Sequence, residues 1–263
     1  MQQLRDAFGR QITYVRLAVT DRCNLRCTYC MPAEGAVIVE RKELLTFKEM
    51  YRITRVLTEL GVCKVRLTGG EPFVRKNLID FLKMLSFNDL LEAINITTNG
   101  ALIAAHISDL ERLKVKTVNL SIDSLQPEKF AKITRRDVFD QVWETYELLA
   151  KSKLKLKLNV VIQSGVNTDE IADFVALTKH KEMDVRFIEE MPFNGVGVRK
   201  TTEVWDYKRI LEEIRVVAPT LQTLPLETSS TSRNFKVEGA KGTVGIIPAY
   251  TRTICNDCNR IRI

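Results

Sequence analysis

Cys23-Asn24-Leu25-Arg26-Cys27-Thr28-Tyr29-Cys30 directly follows a β-branched run at 12–19. That order, a strand and then a loop of chemically active residues, recurs along the chain. Further runs with strand character lie at 64–68, 93–97, 117–122, 155–162 and 184–188. Between them, amphipathic stretches near 46–60, 75–86, 101–113, 137–150 and 167–180 have helical periodicity. Thr46 is placed as an N-cap, with Glu49 at the capping-box position. Alternation of this kind argues for βα units around a parallel sheet. In such sheets functional residues gather at the C-terminal ends of strands. The cysteine loop, Gly69-Gly70-Glu71-Pro72, Thr98-Asn99-Gly100, Asp123 and Met191 all fall there. The expected fold is α/β, a partial (βα)6 TIM-like barrel with a small C-terminal β-rich region. A further helix is expected near 205–215, and short strands and turns over 216–250. The expected division is 1–215 for the barrel and 216–263 for the C-terminal region.

The cysteine run carries the chemistry. Three thiols at C-x3-C-x2-C spacing can hold three irons of a four-iron cluster and leave the fourth open to a small molecule. Zinc with a fourth ligand from elsewhere is the alternative, although zinc sites usually pair C-x2-C knuckles. Cys255-Asn256-Asp257-Cys258 is read less sharply, because a lone C-x2-C also suits half a zinc knuckle or a redox pair. Cys63 has the setting of a buried, inert cysteine.

Length and composition bound the rest. The chain has 263 residues, 45% of them apolar, enough for one large domain or two modest ones. No long apolar run suggests a membrane span, and Met1-Gln2-Gln3-Leu4-Arg5-Asp6 has no signal character, so the cytoplasm is expected. Five of the six cysteines fall in two tight groups, which suits metal better than a secreted disulfide scaffold. The net charge of +7 fits either a solvated basic surface or an anionic partner. Basic residues without interleaved aromatics argue against a nucleic-acid module. His106 and His180 fall in segments read as exposed helix, so histidine acid–base chemistry is not expected. Glu189-Glu190 offers a general-base pair, with a solvated turn as the preferred reading. Strand parity groups Lys157 with Asn159, Arg66 with Thr68, and Arg260 with Arg262. Arginine forks suit phosphate oxygens and guanine acceptors.

Cys23-x3-Cys27-x2-Cys30 with Tyr29, together with Gly69-Gly70-Glu71-Pro72, resembles the radical S-adenosylmethionine (SAM) superfamily. The resemblance narrows to the GTP 3′,8-cyclase family through Val19-Thr20-Asp21-Arg22-Cys23, Arg66-Leu67-Thr68-Gly69, Thr97-Thr98-Asn99-Gly100 and Arg186-Phe187-Ile188-Glu189. Cys255-x2-Cys258-Asn259-Arg260-Ile261-Arg262 is similar to that family's second cluster motif. The resemblance implies conversion of GTP to (8S)-3′,8-cyclo-7,8-dihydroguanosine 5′-triphosphate, the first step of molybdenum cofactor biosynthesis. It implies a first [4Fe–4S] cluster on Cys23, Cys27 and Cys30, and a second on Cys255 and Cys258. The family's third ligand of the second cluster lies beyond Ile263, so a truncated chain is expected. The resemblance assigns Tyr29, Gly70, Ser121 and Met191 to S-adenosylmethionine. Arg16, Arg66, Thr97, Lys157, Arg260 and Arg262 go to GTP, with Arg186 as a further site residue. The implied partners are an external one-electron donor, cyclic pyranopterin monophosphate synthase as the next enzyme, and a homodimer mate. Neither membrane nor nucleic acid is implied. A peptide-modifying radical enzyme with an auxiliary cluster is the rival reading.

Overall fold

The computed structural model describes residues 3–35, 39–191, 204–226, 230–251 and 258–263. Six βα units run in order: β1 (Tyr14–Ala18), α1 (Phe47–Glu59), β2 (Lys64–Thr68), α2 (Leu78–Ser86), β3 (Ala93–Thr98) and α3 (Ile107–Arg112). They continue with β4 (Val115–Ser121), α4 (Pro127–Thr134), α5 (Phe139–Lys151), β5 (Lys155–Ile162), α6 (Ile171–His180), β6 (Met183–Glu189) and α7 (Tyr207–Val217). Then come β7 (Gln222–Thr223), β8 (Arg233–Lys236), β9 (Thr243–Ile247) and β10 (Arg260–Arg262).

All ten strands form one sheet, ordered β10-β1-β2-β3-β4-β5-β6-β9-β8-β7. The row from β10 to β9 is parallel throughout, and β8 and β7 add antiparallel pairs at one end. Among the described residues the row does not close on itself, which fits a partial barrel. The six expected strands are therefore the centre of a wider sheet. The late strands β9 and β10 attach to β6 and β1 instead of forming a separate layer.

Parity explains why the sheet curves around a polar interior. Val15, Leu17, Val65, Leu67, Ile94 and Ile96 are fully buried on the outer face, against helix residues such as Phe81 and Leu82. The alternate positions, Arg16, Arg66, Asn95, Thr97, Asn119 and Lys157, face inward. An interior of this kind departs from the apolar filling of a closed eight-stranded barrel.

The capping box forms as expected. Thr46 Oγ1 accepts from Glu49 N, and Glu49 accepts from Thr46 N at 2.7 Å. Two helical stretches are shorter than expected because 3₁₀ turns at Ala104–His106 and Thr168–Glu170 take up their beginnings, and α2 starts only at Leu78, after Asn77 in the left-handed region. Helix α4 was not anticipated; Pro127 at its first turn has the fixed φ that favours a helix start.

Candidate active site

The cysteine loop leaves β1 and is held by the far end of α4. Arg26 N donates to Thr134 O and Thr28 N to Ile133 O, both at 2.9 Å. Arg135, in the left-handed region at φ 53°, donates to Arg26 O and Met31 O at 3.0 Å. Cys27 O accepts from Cys30 N and Met31 N, folding the loop back on itself. Leu25 N and Asn99 Nδ2 donate to Cys23 Sγ at 3.4 and 3.8 Å. Such N–H···S bonds are among the influences that tune cluster thiolates.

Burial is the largest influence on Cys23, Cys27 and Cys30, and it pushes each thiol up. Asp123 and neighbouring thiolates raise Cys27 and Cys30 further. A cation at this position reverses the balance and deprotonates its thiols. Cys23, Cys27 and Cys30 present three thiols on one short loop, with N–H donors directed at Cys23 Sγ. A four-iron cluster takes one thiolate per iron. The donor set therefore fits the cluster better than zinc.

The second strand's loop is zipped to the first. Gly70 N donates to Thr20 O at 2.7 Å and Glu71 N to Arg22 O at 2.8 Å. A Cβ on Gly69 or Gly70 would overlap the Thr20 or Arg22 carbonyl oxygen. The close approach that these glycines permit is thus made first by the chain's own cysteine loop. Glu71, 1% exposed, accepts from Thr98 Oγ1, Asn99 N and Phe73 N at 2.7–3.1 Å, binding the β2 and β3 loops together. Tyr29 Oη donates to buried Asp123 at 2.9 Å, and Asp123's other oxygen accepts from Val161 N. Burial raises Asp123 to about 6, Glu190 adding to the effect, and raises Tyr29 well above its usual value. Gly70, Ser121 and Met191 stand at or just after the C-terminal ends of β2, β4 and β6. They form a rim with Tyr29 and the cysteines.

Deeper along the strands the interior is cationic. Arg16 pairs in register with Arg66 on one side and Arg262 on the other, and Tyr14 with Arg260. Burial, then Arg66, Arg262 and Arg260, lower Arg16 to about 10. The Tyr14 ring lies 5.5 Å from the Arg66 guanidinium and 5.2 Å from that of Arg260. Lys157 is lowered to about 8 by burial and by Arg186, against the pull of Asp184 at 2.6 Å. A cavity of about 250 Å³ opens here, lined in part by Lys64, Arg66, Lys157, Arg186 and Arg260. Like charges crowded in a half-buried site call for an anion. A larger cleft, about 970 Å³, opens at the N-terminal edge of β4, β5, β6 and β9 and contains none of the cysteines.

The structure thus brings Arg66, Lys157 and Arg260 to one cavity, with Arg16 and Arg262 in register beside Arg66 and Thr97 one step along β3. Cys258 is half-buried beside Arg260, while Cys255 lies outside the described residues. Cys63 is half-buried at the opening of β2 next to Glu92, less enclosed than expected. His106 is half-buried in a 3₁₀ turn and stacks on Phe73, so only His180 is exposed. The solvated-turn reading of Glu189 is overturned. Glu189 is 2% exposed and accepts from Tyr207 N, Tyr250 N, Thr251 N and Thr251 Oγ1. These donors come from segments that no local pattern ties to β6. Tyr14, Asn95, Asn119 and Asp184 were missed as site residues. Their signal was shared parity with Arg16, Thr97, Ser121 and Arg186.

A profile of the radical SAM superfamily matches residues 17–178, and one for Molybdenum Cofactor Synthesis C matches residues 183–263. Molybdenum cofactor biosynthesis protein 1 of Drosophila melanogaster is 42% identical over 260 residues, covering 99% of this chain and 46% of that protein. GTP 3′,8-cyclase of Alkaliphilus oremlandii is 41% identical over 263 residues, covering 99% of this chain and 80% of that protein. The chain thus spans less than half the length of the animal relative. Streptococcus suis SuiB bound to S-adenosylmethionine shares the fold at TM-score 0.68 and 17% identity, over 95% of this chain and 58% of that one.

Proposed function

We propose, for a chain that belongs to the radical SAM superfamily and within it to the GTP 3′,8-cyclase family, that it converts GTP to (8S)-3′,8-cyclo-7,8-dihydroguanosine 5′-triphosphate, the first step of molybdenum cofactor biosynthesis. The observation that carries the reading is the two-tier interior. A rim of three thiols stands at one end of the sheet, and at the other a floor of Arg16, Arg66, Lys157, Arg260 and Arg262 fits a triphosphate.

In this reading Cys23, Cys27 and Cys30 hold a [4Fe–4S] cluster, and Tyr29, Gly70, Ser121 and Met191 receive S-adenosylmethionine. The cluster and S-adenosylmethionine supply one-electron removal of the ribose C3′ hydrogen. The chain's own residues bind and place. The guanidinium forks take phosphate oxygens and Lys157 adds a point charge. The buried Asp123 orients Tyr29 through its hydroxyl. Cys255 and Cys258 would contribute ligands to a second cluster. We also place the end of the catalytic barrel near residue 215. An external one-electron donor, a downstream cyclic pyranopterin monophosphate synthase and a homodimer mate complete the proposal. No helix among the described residues is long and apolar enough to cross a membrane, and we assign the protein to the cytoplasm.

The test is anaerobic incubation of the iron- and sulfide-reconstituted chain with dithionite, S-adenosylmethionine and GTP. Cyclised nucleotide together with 5′-deoxyadenosine is expected. Formation of 5′-deoxyadenosine alone overturns the substrate assignment, and material that stays colourless on reconstitution overturns the cluster.

A further inference from the structure

We infer that Asn119 and Asn159 hold the ribose hydroxyls of the nucleotide, and so set both the sugar's position and the preference for a ribonucleotide. The inference rests on the reading of the floor as a triphosphate site.

Asn119 is fully buried in the middle of β4. Its Nδ2 donates to Ile96 O of β3 at 3.0 Å, which fixes the amide's orientation. Its Oδ1 is then an acceptor without a donor in the protein, sealed from solvent. Asn159 Oδ1, on the same face of β5, is in the same condition. Buried acceptors are satisfied in nearly all folded proteins, and the exceptions call for a ligand or a bound water.

The register says which part of a ligand meets them. Thr97, Asn119 and Lys157 are successive partners across β3, β4 and β5. One step toward the rim, Ser121, Asn159 and Arg186 are successive partners across β4, β5 and β6. Asn119 therefore lies level with Lys157 at the rimward edge of the cationic floor, and Asn159 one step closer to the cysteine rim. An ionised phosphate has only acceptor oxygens and would repel both carbonyls. A ribose offers two O–H donors and lies next to the phosphates in a nucleoside triphosphate. With phosphates on the floor, the sugar falls at this level. Asparagine is also depleted in strands, so two on adjacent central strands are not explained by sheet propensity.

The experiment measures anaerobic equilibrium binding of GTP, 2′-deoxy-GTP and 3′-deoxy-GTP to the reconstituted full chain. The wild type is expected to bind at least one deoxy analogue on the order of tenfold more weakly than GTP, because a buried acceptor is left unpaired. In Asn119→Ala or Asn159→Ala that ratio should fall toward one, through weaker GTP binding with the analogue's affinity unchanged. Equal binding of all three nucleotides by the wild type overturns the inference while leaving the triphosphate site intact. So does an equal loss for all three in both variants, which marks a merely structural role. Absence of GTP binding by the wild type removes the nucleotide reading itself. The wild-type comparison needs no variant, so a misfolded Asn119→Ala leaves the test decisive.

Discussion

Lys157 is held between opposing influences. Burial and then Arg186 lower it to about 8, while Asp184, 2.6 Å away, works to keep it charged. Its ammonium is therefore present below about pH 8 and lost as the pH rises through that value. Arg16, lowered to about 10, and the other guanidiniums stay charged across this window. We expect GTP affinity, measured by equilibrium binding, to fall between about pH 7.5 and about 9. Lys157→Arg should flatten the profile, because a guanidinium does not titrate there. A wild-type profile as flat as that of the variant would remove Lys157 from the phosphate site. The residue's identity as a candidate was legible in the alternation of leucine and lysine along 154–158. Its weakened basicity was not, since that depends on Arg186 and Asp184 of the next strand.

At the scale of elements, two joints hold the site. The first is the backbone ladder between the β1 and β2 loops. Gly70→Ala would drive a methyl into the Arg22 carbonyl, which must move. We expect a loss of about 1–3 kcal/mol in unfolding free energy, together with a lower iron content, because the cysteine loop shifts with Arg22. Unchanged thermal midpoint and iron content would show the ladder to be dispensable. The second joint is Glu189, whose carboxylate collects donors from the start of α7 and from Tyr250 and Thr251. Thr251 precedes Cys255 by four positions in the sequence, and Glu189 holds Thr251 to the end of β6. Glu189→Gln presents an NH₂ to donors and should cost roughly 1.5–3 kcal/mol. Iron retained by Cys255 and Cys258, measured in a background lacking the first three cysteines, should fall as well. Full retention would limit Glu189 to packing α7.

At the scale of the whole molecule, the inner sheet face concentrates positive charge that the folded protein must tolerate. Arg16 and Arg260, both lowered by burial and by neighbouring guanidiniums, register that strain. A triphosphate that binds only the folded state should stabilise it by about 2.7 kcal/mol at ~100 times its Kd. For a chain of this size that corresponds to a rise of about 5–10 °C in Tm. Guanosine, which lacks the phosphates, should give a much smaller shift, and the GTP effect should shrink with added salt. Equal shifts from guanosine and GTP at matched concentration would mean that the floor is not a phosphate site.

The sequence by itself determined the βα order, the capping box at Thr46, the cysteine spacing and the parity that separates inward cations from outward leucines. Each of these is carried by residues within a few positions of one another, where periodicity and spacing speak for themselves. Only the tertiary structure decided that β10 closes onto β1 with Asn259 bonded to Thr13, 246 positions away. It also decided that Gly69 and Gly70 make room for the chain's own loop, that Tyr14 lies beside two guanidiniums, and that Glu189 is buried with four donors. Those outcomes depend on which distant segments share a boundary and exclude water. A polar side chain has the same local pattern whether it faces solvent or a buried partner.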